Sequence, residues 1–414
     1  MTTYASATSN PNLLKTIYGK ESLTRVTREL SVFASDIEWE YDDGGDDLRP
    51  TVVDISPGGG VSPTFSVAQS TANTTTQRKF VYPLKNLYGV KFLDGEMIDR
   101  TIGDDMAYGK IVDHEMRALV QTWNEALSAS LWSRAGGSVC QFTSASVTIT
   151  NAYFTPAITS DSQLFEIGRQ YEFATDDGTA TSPAGVLDGG ATLTCTGVDS
   201  AGKVTFGAAI NTIAGMTNAC YIFPAGSYGK SGTGVPGFIP ITAPSSSESF
   251  LGVDRSEHWR LGGLRYAPGV GLKTDILRDA LAYAGVRGCK PTRIYMNDVD
   301  CADVAGELGS YTTIPVGTQD VTIGHKGIAF MAGGKSVALV AESWVPKGYC
   351  WALTPETWKL TWTKRGEVPR LIDDDGVKKF LRAPTADAFE ARLVGRGRML
   401  RCLAPGKNMV VSFA

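Results

Sequence analysis

The segment from 104 to 134, DDMAYGKIVDHEMRALVQTWNEALSASLWSR, has the clearest periodic pattern in the chain. Its apolar residues recur every three or four positions and fall on one arc of a helix, with polar residues opposite. Two acidic residues begin the segment and two glycines follow it, as is typical of helix ends. The pattern predicts one amphipathic helix of roughly 45 Å, a spine along which other elements lie. The apolar arc consists of Tyr108, Val112, Met116, Leu119, Val120, Trp123, Ala126, Leu127 and Leu131.

Before this helix the pattern changes to the alternation of apolar and polar residues that is typical of strands. Phe65 and Val67 lead into a small polar stretch at 69–76, and Phe80 and Tyr82 follow it. The pattern predicts an extended two-stranded loop over 51–95. Because a two-stranded ribbon is marginally stable alone in water, we expect it to lie on its own chain or on a neighbour.

Residues 1–50 begin polar and contain a short periodic piece that ends near Phe33. An acidic run follows, without a basic residue and without the spacing of an EF-hand. The composition predicts a solvated arm that builds no core. The acidic residues are Asp36, Glu38, Glu40, Asp42, Asp43, Asp46 and Asp47.

Residues 140–226 are rich in Thr, Ala, Gly and Ser, and their basic residues are Arg169 and Lys203. Short β-prone runs alternate there with turn sequences, which predicts a small all-β module inserted after the helix. The predicted strands are Val147–Thr150, Gln170–Thr175, Ala191–Val198, Val204–Ile210 and Ala219–Phe223.

Mixed α/β sequence follows the module. We predict a helix over Thr274–Ala284 capped by Thr274, a strand over Arg293–Met296, and a helix to Leu308 capped by Asn297. Further strands are predicted over Ser336–Ala341, Tyr349–Leu353 and Thr357–Lys364, and Ala388–Ser412 is expected to return to the body of the fold.

The totals exclude several classes of protein. A chain of 414 residues with 43% hydrophobic content is long enough for two or more substructures. The net charge of -4 argues against a free-standing nucleic-acid binder with a strongly basic surface. The seven cysteines form no C-x-x-C pair and are expected to be reduced core residues. With no signal sequence and no long apolar stretch, we expect a protein made soluble in a cytoplasm, without membrane contact.

No catalytic constellation is apparent. The P-loop-like strings around Lys230 and Lys335 lack the first glycine, and the G-x-G-x-x-G at 232–237 contains Pro236. His114 is expected to be a surface residue, and the 373–376 turn lacks the glutamate of a calcium loop. We therefore predict that the protein is not an enzyme and that it uses no cofactor or metal. The basic segment of Arg392, Arg396, Arg398, Arg401 and Lys407 is expected to be a solvated face, with contact to phosphate or to an acidic neighbouring subunit as the open alternatives.

The order of arm, extended loop, spine helix and returning α/β region resembles the major capsid proteins of tailed double-stranded DNA bacteriophages, which have the Hong Kong 97 fold. Local strings support the resemblance over about three quarters of the chain. They are Arg78-Lys79-Phe80, Tyr88-Gly89-Val90, Asp94-Gly95-Glu96, Ile294-Tyr295-Met296-Asn297, Val345-Pro346-Lys347-Gly348, Asp387-Ala388-Phe389-Glu390 and Ala404-Pro405-Gly406.

The resemblance implies an α+β fold of named parts. These are an N-terminal arm (1–50), an extended loop (51–95), a peripheral domain (96–139, 227–270 and 381–414), an axial domain (271–380) and an inserted all-β domain (140–226). It also implies a subunit interface on the loop and the polar face of the helix. The candidate contact residues are Phe65, Arg78, Lys79, Phe80, Tyr82, Tyr88, Lys110 and Arg117.

The function implied is self-assembly, as pentamers and hexamers, into an icosahedral shell that encloses phage DNA in the virion. Scaffold, portal and decoration proteins are further partners that the family implies, with synthesis in a bacterial host cytoplasm. Three alternatives stay open: a β-rich ligand- or receptor-binding structural protein, an encapsulin-type compartment, and an enzyme that uses Lys335 or Asp373.

Overall fold

The computed structural model describes residues 30–41, 51–55, 59–82, 84–94, 105–142, 150–156, 159–178, 185–217, 219–246, 250–309, 329–332, 335–363, 370–371, 381–382 and 387–413. Side chains are described throughout these ranges except at 94, 105–114, 135, 160, 309, 329, 331–332 and 335. The helices are α1 (Val32–Asp36), α2 (Phe65–Ser70), α3 (Asp105–Leu131), α4 (Val235–Phe238), α5 (Trp259–Gly262), α6 (Lys273–Val286) and α7 (Asp298–Gly309).

The predicted spine is the continuous helix α3, which is 27 residues long and ends three residues earlier than predicted. Four members of the predicted apolar arc are buried in the main core: Leu119, Trp123, Leu127 and Leu131. After the helix, Gly136 has a positive φ of 63°, a backbone conformation that glycine adopts readily.

A sheet lies against the spine helix and is built around one strand of 15 residues, β19 (Ala388–Cys402). On one side β19 pairs antiparallel with β4 (Lys85–Asp94), and with β16 (Trp358–Trp362) it forms a second antiparallel pair. Strand β1 (Glu38–Tyr41) runs parallel to β16, while the short strands β17 (Arg370–Leu371) and β18 (Leu381–Arg382) also pair with β19. The main hydrophobic core lies where this sheet meets α3.

The expectation that residues 1–50 build no core is wrong for the described residues 30–41. Phe33 is fully buried, and its ring lies 5.5 Å from that of Trp132 and 5.7 Å from that of Trp358. Part of the acidic run is also paired within the subunit: Asp36 binds Arg293, and Glu40 lies near Lys359 and Arg401. These partners lie roughly 100 to 360 residues away in sequence, so the local composition gives no sign of them. Residues 42–50 lie outside the described residues.

A second sheet forms the α/β region. Its order is β11 (Leu264–Tyr266), β20 (Met409–Ser412), β15 (Tyr349–Leu353), β12 (Arg293–Met296), β14 (Lys335–Ala341) and β13 (Ala329–Ala332). Helices α6 and α7 pack on it.

The helix predictions in this region are confirmed with one exception. All five inward residues of α6 are buried, namely Ile276, Leu277, Ala280, Leu281 and Ala284. Asn297 caps α7 by accepting the backbone N–H of Val299 at 3.1 Å. Thr274 does not cap α6, because the helix begins a residue earlier and the Thr274 hydroxyl donates to Glu307 instead.

The region after the spine helix forms a six-stranded antiparallel sheet. Its order is β5 (Cys140–Gln141), β10 (Tyr221–Pro224), β7 (Gln170–Ala174), β8 (Thr192–Val198), β9 (Val204–Phe206) and β6 (Tyr153–Phe154). It has a hydrophobic core of its own, with Tyr171, Phe173, Cys195 and Ile222 fully buried. The predicted strand over 147–150 lies almost wholly outside the described residues.

Sheet membership differs from the predicted axial segment of 271–380. Strands β16 and β17 belong to the sheet of the long strand, while β11 and β20, from outside that segment, complete the α/β sheet.

The basic C-terminal segment also differs from its predicted exposure. Arg398 and Arg401 are 3% and 8% exposed, so the expectation of a solvated face is wrong at these two positions. Strand β19 is covered on both faces over most of its length. Its sequence therefore lacks the apolar-polar alternation that would distinguish buried from exposed positions.

Candidate subunit interface and basic cavity

The two-stranded loop exists, but its strands are short. Strands β2 (Thr51–Asp54) and β3 (Gln77–Phe80) pair antiparallel and form a sheet separate from the others. Phe65 and Val67 were predicted to continue a strand. They lie instead on the short helix α2, which is between β2 and β3 in the chain. A short apolar run can adopt either structure, so the pattern alone does not distinguish a strand from a helix here.

The outer part of this loop exposes apolar side chains. Val61 is 95% exposed and Phe65 is 82% exposed, although a soluble monomer buries such residues where it can. The root of the loop is fixed to the subunit. Phe80 packs against Phe250 at a ring distance of 6.4 Å, and Tyr82 stacks on Phe238 at 5.9 Å.

The predicted contact residues therefore divide into groups. Phe80 and Tyr82 are buried in the subunit's own core, and burial raises the pKa of the Tyr82 hydroxyl, so neither offers a surface to a neighbour. Arg78 is bound to Glu257 through two hydrogen bonds of 2.6 and 2.9 Å, and this bonding raises the pKa of its guanidinium.

The exposed members are Phe65, Lys79, Tyr88 and Arg117. Tyr88 lies on β4 beside the spine helix, and Arg117 lies on the helix itself. The side chain of Lys110 lies outside the described residues. The structure thus places the exposed candidates on two surfaces, the two-stranded loop and the helix with its adjoining strand.

A cavity of about 690 Å³ lies between β4, the spine helix and the 224–232 turn. Its helix wall consists of small or apolar residues, including Leu119, Ala126 and Ala129. Four basic residues line it, and no aspartate or glutamate does so among the described residues: Lys85, Arg169, Lys230 and Arg398. The sequence did not indicate this site, because its basic residues come from four separate elements.

Two of the four cations are withdrawn from solvent. Lys85 is half-buried and donates to the carbonyl oxygen of Gly229, and burial lowers the pKa of its ammonium group. Burial lowers the pKa of Arg398 to about 10. Desolvation disfavours the charged form of both groups, and no lining carboxylate offsets it.

The catalytic alternatives gain no support from the described residues. Gly229-Lys230-Ser231 lies in a turn, and Lys335 begins strand β14 rather than the N-terminus of a helix that a phosphate-binding loop requires. Gly234 immediately precedes the single-turn helix α4, and Pro236 and Gly237 lie inside this helix. Asp373 lies outside the described residues, as does the side chain of His114.

The described residues also contain neither a metal-binding cluster nor a membrane-spanning helix. They contain no group of three or more His, Cys, Asp or Glu side chains placed to hold a metal ion. None of their helices is both long and apolar enough to cross a membrane. All seven cysteines are free, and only Cys301 is less than fully buried.

No protein-family model matches the sequence, and no curated protein matches it either. Among solved structures, the capsid asymmetric unit of cyanophage A-1(L) matches with a TM-score of 0.58 at 9% identity. The match covers 97% of this chain and 98% of that chain. The fold is the Hong Kong 97-type capsid fold.

Two further structures are similar at lower scores. The capsid of Myoviridae phage XM1 matches with a TM-score of 0.43 and 8% identity, covering 98% of each chain. The SrpI encapsulin from Synechococcus elongatus PCC 7942 matches with a TM-score of 0.42 and 8% identity, covering all of this chain and 96% of that one. The Hong Kong 97 fold predicted from the order of elements is confirmed by the cyanophage match.

Proposed function

We propose that this chain is a major capsid protein that self-assembles into an icosahedral shell around phage DNA. The observation that carries the proposal is a capsid fold that extends over 97% of the chain and leaves an apolar loop tip exposed. A chain that functions alone gains nothing from a ribbon without a core, whereas in a shell a neighbouring subunit covers it.

The assignment of parts follows from the proposal. The two-stranded loop and the exposed side of the spine helix would contact neighbouring copies through Phe65, Lys79, Tyr88 and Arg117. The six-stranded module between 140 and 226 would be an inserted domain, and the α/β sheet with α6 and α7 would meet its copies around the five- and six-fold axes. The role is structural, without turnover.

Further partners belong to the proposal as well. Pentamers and hexamers of this chain would form the shell, with a portal, scaffold and decoration proteins as additional components and double-stranded DNA inside. The protein would be synthesised in the cytoplasm of a bacterial host and reside in the virion.

Electron microscopy and sedimentation velocity of the purified chain test the proposal. We expect closed particles of uniform size whose fraction rises with protein concentration, since assembly follows mass action. A strictly monomeric chain at high concentration would contradict it.

The content of particles isolated from producing cells separates the alternatives. Nuclease-protected double-stranded DNA supports a phage capsid, whereas a specific enclosed protein without DNA identifies an encapsulin-type compartment. If the chain stays monomeric while the 140–226 module binds a ligand or receptor, the binding-protein alternative is correct.

A further inference from the structure

The basic cavity contains a like-charge pair that the subunit does not neutralise. Arg398 on β19 and Lys85 on β4 are direct cross-strand partners in the sheet. Like charges placed opposite each other on neighbouring strands destabilise the pair. Here Arg398 is 3% exposed and Lys85 is half-buried, so water screens their repulsion poorly.

The hydrogen-bonding edge of Arg398 is also without a partner. Its Nε and Nη2 atoms are buried and have no hydrogen-bond acceptor among the described residues. These two atoms form the side of the guanidinium that binds a carboxylate or phosphate through two parallel bonds. The side chain lines the cavity, and a Cβ atom placed on Gly232 would lie 3.5 Å from its Nη2.

We propose that Arg398 and Lys85 form a binding site for a carboxylate group of a second copy of this chain. The inference rests on the proposed capsid function, because assembly is what would bring a second copy to the cavity. Because Nε and Nη2 are covered in the isolated subunit, the Arg398 side chain would have to turn toward the cavity on assembly. A carboxylate between the two cations would then satisfy this edge of Arg398 and neutralise the cross-strand repulsion. The site would thus be incomplete in the isolated subunit and completed by a neighbour.

The geometry favours an acidic side chain over nucleic acid. Arg398 lines a cavity of about 690 Å³, which admits a side chain and a short segment of protein but not a duplex. The walls near Leu84, Leu87 and Leu119 are apolar, which suits a protein segment better than a phosphate backbone. The chain has 43 acidic residues against 39 basic ones, so copies of it have carboxylates to supply.

The test compares Arg398→Met with Arg396→Met in the full-length chain. Arg396 is an exposed arginine two residues away on the same strand and serves as the matched control. Sedimentation velocity gives the concentration at which half of the chain is assembled. We expect Arg398→Met to raise this concentration about tenfold or more, because a charge-assisted contact between copies is lost. Arg396→Met should change it less than about twofold, and Lys85→Met should act in the same direction as Arg398→Met.

Thermal unfolding below the assembly concentration distinguishes this role from a purely structural one. Loss of an arginine that stabilises its own subunit would lower the unfolding temperature of the unassembled chain. Replacing a buried, unpaired charge with an apolar residue of similar size should leave the unassembled chain as stable as the wild type or more stable. If Arg398→Met lowers the unfolding temperature, Arg398 stabilises its own subunit and the proposal is overturned.

A reconstruction of the particles identifies the occupant. An aspartate or glutamate of a neighbouring copy against Arg398 supports the proposal, whereas nucleic acid, a free anion or a carboxylate of the same chain overturns it. If the wild type forms no particles, the capsid function itself fails. If it forms particles and Arg398→Met assembles equally well, only the carboxylate site fails.

Discussion

Trp123 of the spine helix stacks on Trp362 of strand β16, with ring centroids 5.9 Å apart and an angle of 27° between the ring planes. Trp123 is 2% exposed and Trp362 is fully buried. Because the two rings join the helix to the sheet of the long strand, this contact holds together the two largest elements of the main core.

Trp123→Ala should lower the free energy of unfolding by about 3–5 kcal/mol, because it removes a large buried side chain and leaves a cavity. Denaturant unfolding of the unassembled chain measures the loss. The control is Thr122→Ala, which changes an exposed neighbour on the same helix and should alter the stability by less than about 0.5 kcal/mol. Equal effects of the two substitutions would contradict the packing of Trp123.

Gly395→Ala tests the close approach of the long strand to the same two rings. A Cβ atom at position 395 would lie 2.4 Å from Trp362 Cζ3 and 3.0 Å from Trp123 Cζ2. Both rings are fixed in the core, so we expect a loss of about 1–3 kcal/mol from overpacking, measured by denaturant unfolding.

Gly306→Ala is the opposite control for this substitution. Gly306 lies on an exposed position of α7, and nothing is within 4 Å of the Cβ that alanine would add. Alanine is the better helix former, so a gain of roughly 0.5–1 kcal/mol is expected. Destabilisation at both positions would show that the close contact at 395 is not the cause.

The contrast between these elements shows what the sequence could predict. All five predicted inward residues of α6 are buried, and in the spine helix Leu119, Trp123, Leu127 and Leu131 are buried as predicted, because a period of 3.6 records which face of a helix is covered. Ser128, predicted on the polar face of the spine helix, is also buried. The core residue Phe33 was missed, because the rings that enclose it belong to Trp132, Tyr295 and Trp358. No local pattern records contacts over such distances in sequence.

The interface could be predicted only in outline for a related reason. Tyr82 and Phe80 follow the same alternation as exposed residues of the loop, and only the positions of Phe238 and Phe250 reveal that they are buried. Arg398 was expected in solvent because a run of basic residues is most often a solvated face. Its burial follows from its place on a strand covered on both faces, which the sequence alone did not show.

Asp161→Asn should remove a pH dependence of stability. Burial raises the pKa of Asp161 to about 6 despite its ion pair with Arg134 at 2.6 Å, and its Oδ1 has no hydrogen-bond donor among the described residues. Between about pH 4 and pH 6 the folded chain therefore binds more protons at this site than the unfolded chain does, so the contribution of Asp161 to stability falls as pH rises.

Unfolding free energies of the wild type and Asp161→Asn, measured across this range, isolate the effect from other titrating groups. The wild-type value minus the variant value should fall by on the order of 2–3 kcal/mol from pH 4 to pH 6.5, because the asparagine does not titrate. A difference that is constant with pH would show that the Asp161 pKa is not raised.

Phe65→Ser separates contacts within the subunit from contacts between subunits. Phe65 is 82% exposed on α2 and contributes little to the folded monomer, so the unfolding free energy of the unassembled chain should change by less than about 0.5 kcal/mol. If the loop tip packs on a neighbour, the same substitution removes a large apolar contact at every copy of the interface. Burial of one phenylalanine contributes about 1.5–3 kcal/mol, which corresponds to a rise of roughly 10- to 150-fold in the concentration required for assembly.

Phe80→Ser, at the buried root of the same ribbon, should show the reverse pattern, with the unassembled chain itself destabilised. Sedimentation velocity and thermal unfolding of both variants measure the two quantities, and assembly of Phe65→Ser at the wild-type concentration would show that the loop tip is not buried between copies.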